Sequence, residues 1–155
     1  PYFKDYQFVI AGAPSLDKEF YAEFLTDDIS FVSNKTYDLL RSSRAALVTS
    51  GTATLETALL KVPEVVCYRG SWISYQIAKR LVKHIQYISL VNLIMNREVV
   101  KELIQDELNT ENLKSELKKI LEPSKRKQIL EDYHQLYFLL GGEGASDRAA
   151  EIIVS

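Results

Sequence analysis

The run Ser50-Gly51-Thr52-Ala53 contains several residues that are suited to bind a phosphate. The apolar segment Ala45–Thr49 predicts a buried strand before the run, and Ala53–Leu60 predicts a helix that begins directly after the turn. The backbone N–H groups and the positive dipole end of such a helix favour an anion. Because Gly51 and Ala53 have little or no side chain, they leave the backbone open to a phosphate. We therefore expect a phosphate site at this turn.

The same residues also fit a turn that binds nothing. Gly51 allows the chain to reverse direction without steric cost, and Glu56 lies favourably near a helix start whatever its function. These residues alone favour neither interpretation, so the rest of the chain must decide between them.

Positive charge is concentrated beyond the next apolar segment, Val65–Tyr68. The net charge of the chain is −2, but positions 65 to 97 contain five basic residues and no acidic residue. Arg69 directly follows the predicted strand, where parallel α/β sheets bind their ligands. A phosphorylated ligand or an anionic surface is the expected partner. For Lys79, Arg80 and Lys83, a solvated helix face is an equally good interpretation.

Length and composition fit one soluble globular domain, since the chain has 155 residues, of which 46% are hydrophobic and 26% charged. No apolar run approaches the roughly 20 residues that span a bilayer, and the N-terminus lacks a signal-peptide pattern. The single cysteine, Cys67, lies in an apolar run, which is typical of a buried thiol in a reducing compartment. His84 and His134 show no metal-ligand spacing. We expect a cytoplasmic protein without a disulfide or a metal.

Strand and helix patterns alternate through the first half of the chain, and helical patterns fill the second. The predicted strands are Phe8–Ala11, Ile29–Val32, Ala45–Thr49, Val65–Tyr68 and, last, Ile85–Leu90. The predicted helices between them are Leu16–Leu25, Thr36–Ser43, Ala53–Leu60 and Trp72–Val82. Two longer helices are predicted after a Thr110 cap and after Pro123, with a glycine-rich break at Gly141–Gly144. The alternation predicts an α/β fold with a doubly wound parallel sheet and extra C-terminal helices.

Five segments, in their order and spacing, resemble the C-terminal half of bacterial lipid-A-disaccharide synthases. They are Ser50–Glu56, Tyr68-Arg69, Ala78–Lys83, Tyr87–Ile94 and Arg97–Val100. The resemblance implies a GT-B glycosyltransferase with two Rossmann-like domains, of which the C-terminal one holds the nucleotide-sugar donor. Residues 1–155 would then be this donor-binding domain, and the N-terminal acceptor domain would lie outside the chain.

The resemblance also implies a reaction. The family transfers 2,3-diacylglucosamine from UDP-2,3-diacylglucosamine to 2,3-diacylglucosamine 1-phosphate and releases UDP. The transfer is inverting and requires no metal or other cofactor. We expect the catalytic base in the N-terminal domain, no nucleic-acid partner, and a location in the cytoplasm at the inner membrane of a Gram-negative bacterium. Lys79, Arg80 and Lys83 are candidates for contact with that anionic membrane surface.

Residue roles follow from the same resemblance. The residues expected to bind the donor are Ser50, Gly51, Thr52 and Ala53 at the diphosphate, Glu56 at the ribose, Arg69 at the phosphate charge, Trp72 and Ile73 at the uracil, Gln76 at the donor, and Asn92 and Arg97 at the phosphates or the sugar. Asn92 and Arg97 are expected on the loop that follows the last predicted strand. Each of several residues has a structural alternative. Trp72 could cover the next helix, Gln76 could be a solvated helix residue, and Asn92 could form a turn.

Two other functions fit parts of the pattern. Another UDP-sugar GT-B enzyme, of the peptidoglycan N-acetylglucosaminyltransferase or UDP-N-acetylglucosamine 2-epimerase type, would share the turn and the acidic residue. The segments Ala78–Lys83 and Tyr87–Ile94 argue against both. A nucleotide-binding or membrane-docking module without catalysis is the third possibility, because Ile73, Ile77 and Leu81 would form one apolar side of the predicted helix Trp72–Val82.

Overall fold

The computed structural model describes residues 2–13, 15–70, 86–142, 144 and 150–153. The chain divides into two compact units, Pro1–Ser43 and Arg44–Ser155. The predicted helix Trp72–Val82 lies outside the described residues. So do the side chains of six candidate binding residues, Trp72, Ile73, Gln76, Lys79, Arg80 and Lys83.

The first unit is a β-α-β arrangement followed by a helix. Its elements are β1 Phe8–Gly12, α1 Lys18–Tyr21, a 3₁₀ turn at Ala22–Phe24, β2 Ile29–Ser33 and α2 Thr36–Ser42. The two strands are parallel and pair from Phe8 with Ile29 to Gly12 with Ser33. Tyr21 packs beside Phe31 of β2, with ring centroids 5.1 Å apart, and its hydroxyl accepts a hydrogen bond from the N–H of Ala13. Both predicted strands of this unit are confirmed.

The second unit contains a parallel sheet in the order β3-β4-β5. Its strands are β3 Ala46–Thr49, β4 Glu64–Tyr68 and β5 Lys101–Ile104, and a 3₁₀ turn at Gln105–Glu107 follows β5. Its helices are α3 Thr52–Leu59, α4 Leu90–Met95, α5 Thr110–Leu121 and α6 Pro123–Leu139. The parallel sheets and the intervening helices confirm the predicted α/β class.

The core of the second unit lies around the central strand β4. Val65 and Val66 are fully buried there, as are Ile129 and Leu136 on α6. α6 packs against α3, α4 and α5. Each buried aliphatic side chain of this size contributes about 1.5–3 kcal/mol. Because α3 contacts both α6 and β4, this packing holds α3 beside the central strand.

The predicted strand Ile85–Leu90 is wrong. Residues 86–88 form no regular element, and α4 begins at Leu90. The side-chain oxygen of Ser89 accepts the N–H of Asn92 and so caps this helix. The N–H groups of Ile88 and Ser89 donate to the carboxylate of Glu102 instead of to a neighbouring strand.

The last strand of the sheet is β5, which the hydrophobic pattern did not predict. Its central position holds Glu102, a carboxylate that is buried in the sheet. The predicted place of Asn92 and Arg97, on a loop after the last strand, is therefore also wrong, because both residues precede β5. The predicted Thr110 cap is corrected in the same way: Asn109 caps α5, with its side-chain oxygen 3.0 Å from the N–H of Asn112.

Candidate functional site

The turn between β3 and α3 leaves the carboxyl edge of the sheet. Thr49 of β3 pairs with Cys67 of β4, and the N–H of Ser50 donates to the Cys67 carbonyl at 3.3 Å. Gly51 has φ 149° and ψ −164°, a conformation that residues with a side chain rarely adopt. The predicted turn is thus confirmed, and its glycine is required by the backbone conformation.

The N-terminus of α3 is exposed and carries unsatisfied donors. Gly51 is the N-cap residue, and its carbonyl accepts both the N–H and the hydroxyl of Thr54. Within the part of the chain that the structure describes, the N–H groups of Thr52 and Ala53 have no acceptor. Gly51, Thr52 and Ala53 are all exposed. This helix end can therefore bind an anion through its backbone.

Two side chains near the turn differ in their availability. The hydroxyl of Ser50 donates to the carbonyl of Ile88 at 3.3 Å, so it links the turn to the segment before α4. Glu56 is half-buried on α3, and its carboxylate has no hydrogen-bond partner among the described residues. Glu56 can therefore accept hydrogen bonds from a ligand, whereas Ser50 already makes a contact within the fold.

Arg69 lies at the same sheet edge as the turn. It directly follows β4, the neighbour of β3, and it is exposed. One guanidinium nitrogen, Nη2, donates to the carbonyl of Leu108 at 2.7 Å. Because guanidinium has five N–H donors, this contact leaves donor capacity for an anion. Arg69 and the exposed end of α3 thus both lie at the carboxyl edge of the sheet.

Gln105 is a residue of this edge that the sequence did not indicate. Its carboxamide oxygen accepts the N–H of Gly70 at 3.3 Å, and its carboxamide nitrogen donates to the Gly70 carbonyl at 3.2 Å. Both bonds hold the residue that follows Arg69. The only sequence signal that could have indicated Gln105 is its position directly after a strand. That strand, β5, was not predicted.

Asn92 is fully buried, and its carboxamide is bonded on all sides. Its oxygen accepts the N–H groups of Val99 and Val100 at 2.8 and 3.0 Å. Its nitrogen donates to the Val100 carbonyl at 2.8 Å and to Glu102 Oε1 at 2.9 Å. A carboxamide offers two donors and two acceptor lone pairs, so these contacts use its ordinary capacity. In this structure Asn92 supports the loop that leads into β5.

Arg97 is bonded to α6. Its Nη2 lies 2.8 Å from Asp132 Oδ1 and 3.2 Å from Gln135 Oε1. The hydrogen bond that Arg97 donates to Asp132 raises the pKa of Arg97 further above its ordinary value. The structure therefore groups the candidate residues into two sets. Gly51, Thr52, Ala53 and Arg69 are exposed at the sheet edge, whereas Asn92 is fully buried and Arg97 is bonded to α6.

An open groove of about 950 Å³ lies at the opposite edge of the sheet. Arg44 and Lys61, which precede β3 and β4, line it together with Arg126, Leu130 and His134 of α6. Parallel α/β sheets bind ligands beyond the carboxyl ends of their strands, so this groove is not the expected ligand site.

Metal-binding clusters and membrane-spanning helices are both absent from the described residues. No group of three or more His, Cys, Asp or Glu side chains in this part of the chain is arranged to hold a metal ion. Nor is any helix there both long enough and apolar enough to cross a membrane.

Comparison with known proteins points to one family. A family model described as lipid-A-disaccharide synthetase matches residues 11–155. The lipid-A-disaccharide synthase of Anaeromyxobacter dehalogenans strain 2CP-1 is 36% identical over 155 residues, which cover 97% of this chain and 40% of the relative. The enzyme of the same name from Syntrophus aciditrophicus is 40% identical over 149 residues, or 93% of this chain and 39% of the relative. That of Myxococcus xanthus is 34% identical over 152 residues, covering 96% and 39%. The chain thus spans about 40% of the length of such relatives.

Proposed function

This chain belongs to the lipid-A-disaccharide synthetase family, and from that premise we propose that it is the donor-binding part of a glycosyltransferase. The reaction would transfer 2,3-diacylglucosamine from its UDP derivative to 2,3-diacylglucosamine 1-phosphate and release UDP. Relatives named lipid-A-disaccharide synthase support the class of reaction. The resemblance of the motifs supports the two substrates.

One observation carries the assignment of the site. The exposed N-terminus of α3 presents the N–H groups of Thr52 and Ala53 at the same sheet edge as Arg69. A departing UDP accumulates negative charge on its phosphate. Oriented N–H groups and a guanidinium stabilise such charge without needing to reorganise. For this reason we propose a reaction that requires no metal and no other cofactor.

Each residue of the site is proposed to bind a different part of the donor. We propose that Gly51, Thr52 and Ala53 bind the diphosphate, that Arg69 neutralises its charge, and that Glu56 accepts the ribose hydroxyl groups. The exposure of the α3 terminus and the Glu56 carboxylate, which has no hydrogen-bond partner among the described residues, support these roles. Trp72, Ile73 and Gln76 remain proposed contacts to the uracil and the donor on the strength of the motif resemblance.

Three residues are proposed in supporting roles. The hydroxyl of Ser50 links the phosphate turn to Ile88, and Asn92 orders the loop before β5. Arg97 anchors that loop to α6 through Asp132. A direct contact between the donor and Asn92 would replace one of the four bonds that its carboxamide makes. We therefore propose that Asn92 acts on the site through the backbone that it holds.

Catalysis also needs groups beyond this chain. No residue of the proposed donor site is an obvious base for the acceptor hydroxyl, so we propose that the base belongs to an N-terminal domain. Alignment of the acceptor with the anomeric carbon can account for roughly 7–11 kcal/mol of the barrier. We therefore propose that residues 1–155 alone do not catalyse the transfer. On the strength of the motif resemblance, we also propose that the transfer is inverting and that the enzyme works at a membrane surface in the cytoplasm.

Calorimetric titration of the chain with UDP and with CMP, each with and without EDTA, tests the proposed function. We expect UDP to bind more tightly than CMP and its affinity to be unchanged by EDTA. Equal affinity for the two nucleotides, or loss of UDP binding on chelation, would contradict the assignment.

A further inference from the structure

The loop that leaves β4 is held by the turn that leaves β5. Tyr68 pairs with Ile104 at the end of the two strands, so Arg69 and Gln105 are the first residues beyond the sheet on each side. Gln105 begins the 3₁₀ turn Gln105–Glu107, with φ 52°. A positive φ is uncommon for a residue other than glycine, asparagine or aspartate. The backbone at Gln105 is thus held in a conformation that its residue type does not favour.

The side chain of Gln105 continues the pairing of the two strands. Its oxygen accepts the Gly70 N–H at 3.3 Å and its nitrogen donates to the Gly70 carbonyl at 3.2 Å. The carboxamide therefore replaces the peptide group that a neighbouring strand would have presented. These two bonds fix the backbone immediately after Arg69.

The same turn also holds the far end of Arg69. The N–H of Leu108 donates to the Gln105 carbonyl at 3.1 Å and closes the turn. The Leu108 carbonyl accepts the guanidinium of Arg69 at 2.7 Å. Leu108 thereby holds the guanidinium of Arg69, and Gln105 holds the backbone of Gly70, the residue that follows Arg69. An arginine that is already oriented loses less side-chain entropy when it binds a phosphate.

We propose that Gln105 is a positioning residue for donor binding, which holds Gly70 and the turn to Leu108 so that the Arg69 guanidinium faces the diphosphate. This inference rests on the proposed role of Arg69 in binding UDP. Gln105 itself does not contact the donor. A substitution of Gln105 must therefore act through Arg69. It must lower the affinity for a ligand that carries the diphosphate and leave the affinity for the nucleoside unchanged.

The test uses the complete enzyme that contains this chain and measures the affinities of UDP and uridine. Gln105→Leu removes both bonds to Gly70 at nearly constant size. Gln105→Asn keeps a carboxamide and tolerates a positive φ, but it is one methylene too short to reach Gly70. Gln128→Leu, an exposed glutamine on α6, is the matched control. Melting temperatures establish that each variant is folded, and Gln105→Asn carries the test if Gln105→Leu does not fold.

We expect both Gln105 variants to weaken UDP roughly tenfold, the effect of losing about one well-formed hydrogen bond. Uridine binding and the Gln128→Leu control should change less than about twofold. In an Arg69→Ala background, Gln105→Leu should have little further effect on UDP, because its action passes through Arg69.

Three results overturn the inference: unchanged UDP affinity, equal weakening of UDP and uridine, or full additivity with Arg69→Ala. If Arg69→Ala itself leaves UDP affinity unchanged, the proposed role of Arg69 fails and the inference fails with it. If Arg69→Ala weakens UDP and the Gln105 variants do not, the inference alone fails.

Discussion

Asn92 Nδ2 donates to Glu102 Oε1 at 2.9 Å, and both residues are buried in the second unit. The same carboxylate accepts the N–H groups of Ile88 and Ser89 and the hydroxyl of Ser89. The backbone carbonyl of Ile88 in turn accepts a hydrogen bond from the hydroxyl of Ser50. A continuous set of hydrogen bonds therefore joins the centre of β5 to the proposed phosphate turn.

We predict that Glu102→Gln destabilises the protein, because the amide nitrogen cannot accept the N–H groups that now face the carboxylate. Leaving a buried donor unsatisfied costs about 1–3 kcal/mol. Glu98→Gln, an exposed substitution with the same change of charge, should shift the free energy of unfolding by no more than about 0.5 kcal/mol. Urea denaturation of both variants measures the difference. Equal effects of the two substitutions would show that the network contributes no special stability.

The extent to which this fold could be predicted from its sequence depends on how far apart the interacting residues lie. The strands β3 and β4 and the turn at Gly51 are encoded by short apolar runs and adjacent small residues, and they were predicted correctly. β5 was missed because Glu102 interrupts its apolar pattern. Its partners Ser89 and Asn92 lie 13 and 10 residues away, so no local pattern indicates that this charge is satisfied.

In the candidate site, too, the features set by neighbouring residues were predicted, and those that depend on residues far apart in the sequence were not. The donor groups of the α3 N-terminus are a local property of strand, turn and helix, so the sequence predicted them. Arg97 bonds to Asp132 and Gln105 bonds to Gly70, each across 35 residues. Such pairings depend on which strands and helices become neighbours. The sequence therefore placed Arg97 on the wrong side of the last strand and did not indicate Gln105.

Glu64 makes the stability of the protein depend on pH. Its side chain is fully buried at the start of β4, its oxygens have no partner among the described residues, and burial raises its pKa from 4.5 to about 9. The native state then retains a proton that the unfolded state releases above pH 4.5. The stability associated with the protonated group is present below that pH and is lost as the pH rises toward 9, at up to about 1.4 kcal/mol per pH unit.

We predict that Glu64→Gln reduces the slope of unfolding free energy against pH between about pH 5 and 8. Urea denaturation at several pH values, with the exposed Glu98→Gln as control, measures the slope. The slope of the control should match that of the wild type. An unchanged slope for Glu64→Gln would mean that Glu64 is ionised in the native protein.

Glu56 should distinguish nucleotides by their ribose hydroxyl groups. A carboxylate accepts such hydrogen bonds more strongly than a neutral amide. We predict that Glu56→Gln weakens UDP roughly fivefold to tenfold and 2′,3′-dideoxy-UDP less than about twofold. Calorimetric titration with both ligands provides the comparison. If both ligands weaken equally, Glu56 has a structural role in α3.

Lys79, Arg80 and Lys83 should contribute to binding of an anionic membrane. Each basic residue near such a surface contributes about 1 kcal/mol, and salt screens the attraction. We predict that replacing all three by glutamine reduces flotation with anionic vesicles at low salt. The exposed residues Lys4, Lys35 and Lys118 offer a control with the same change of charge. This contact would be excluded if vesicle binding of the wild type were independent of lipid charge and salt. It would also be excluded if the two triple variants lost vesicle binding equally.

The most direct measurement of the phosphate site removes a single backbone donor. Thr52 is the first residue of α3, where proline is favoured, and the extended ψ of −164° at Gly51 tolerates a following proline. Thr52→Pro deletes the N–H and the hydroxyl, whereas Thr52→Ala deletes the hydroxyl alone. The quantity to compare is the affinity of each variant for UDP and for uridine, measured by calorimetric titration on protein of wild-type melting temperature. We predict that Thr52→Pro weakens UDP at least about tenfold relative to Thr52→Ala, with uridine unchanged, because the lost bond is to a charged phosphate. Equal UDP affinity of the two variants would contradict a diphosphate site at the N-terminus of α3.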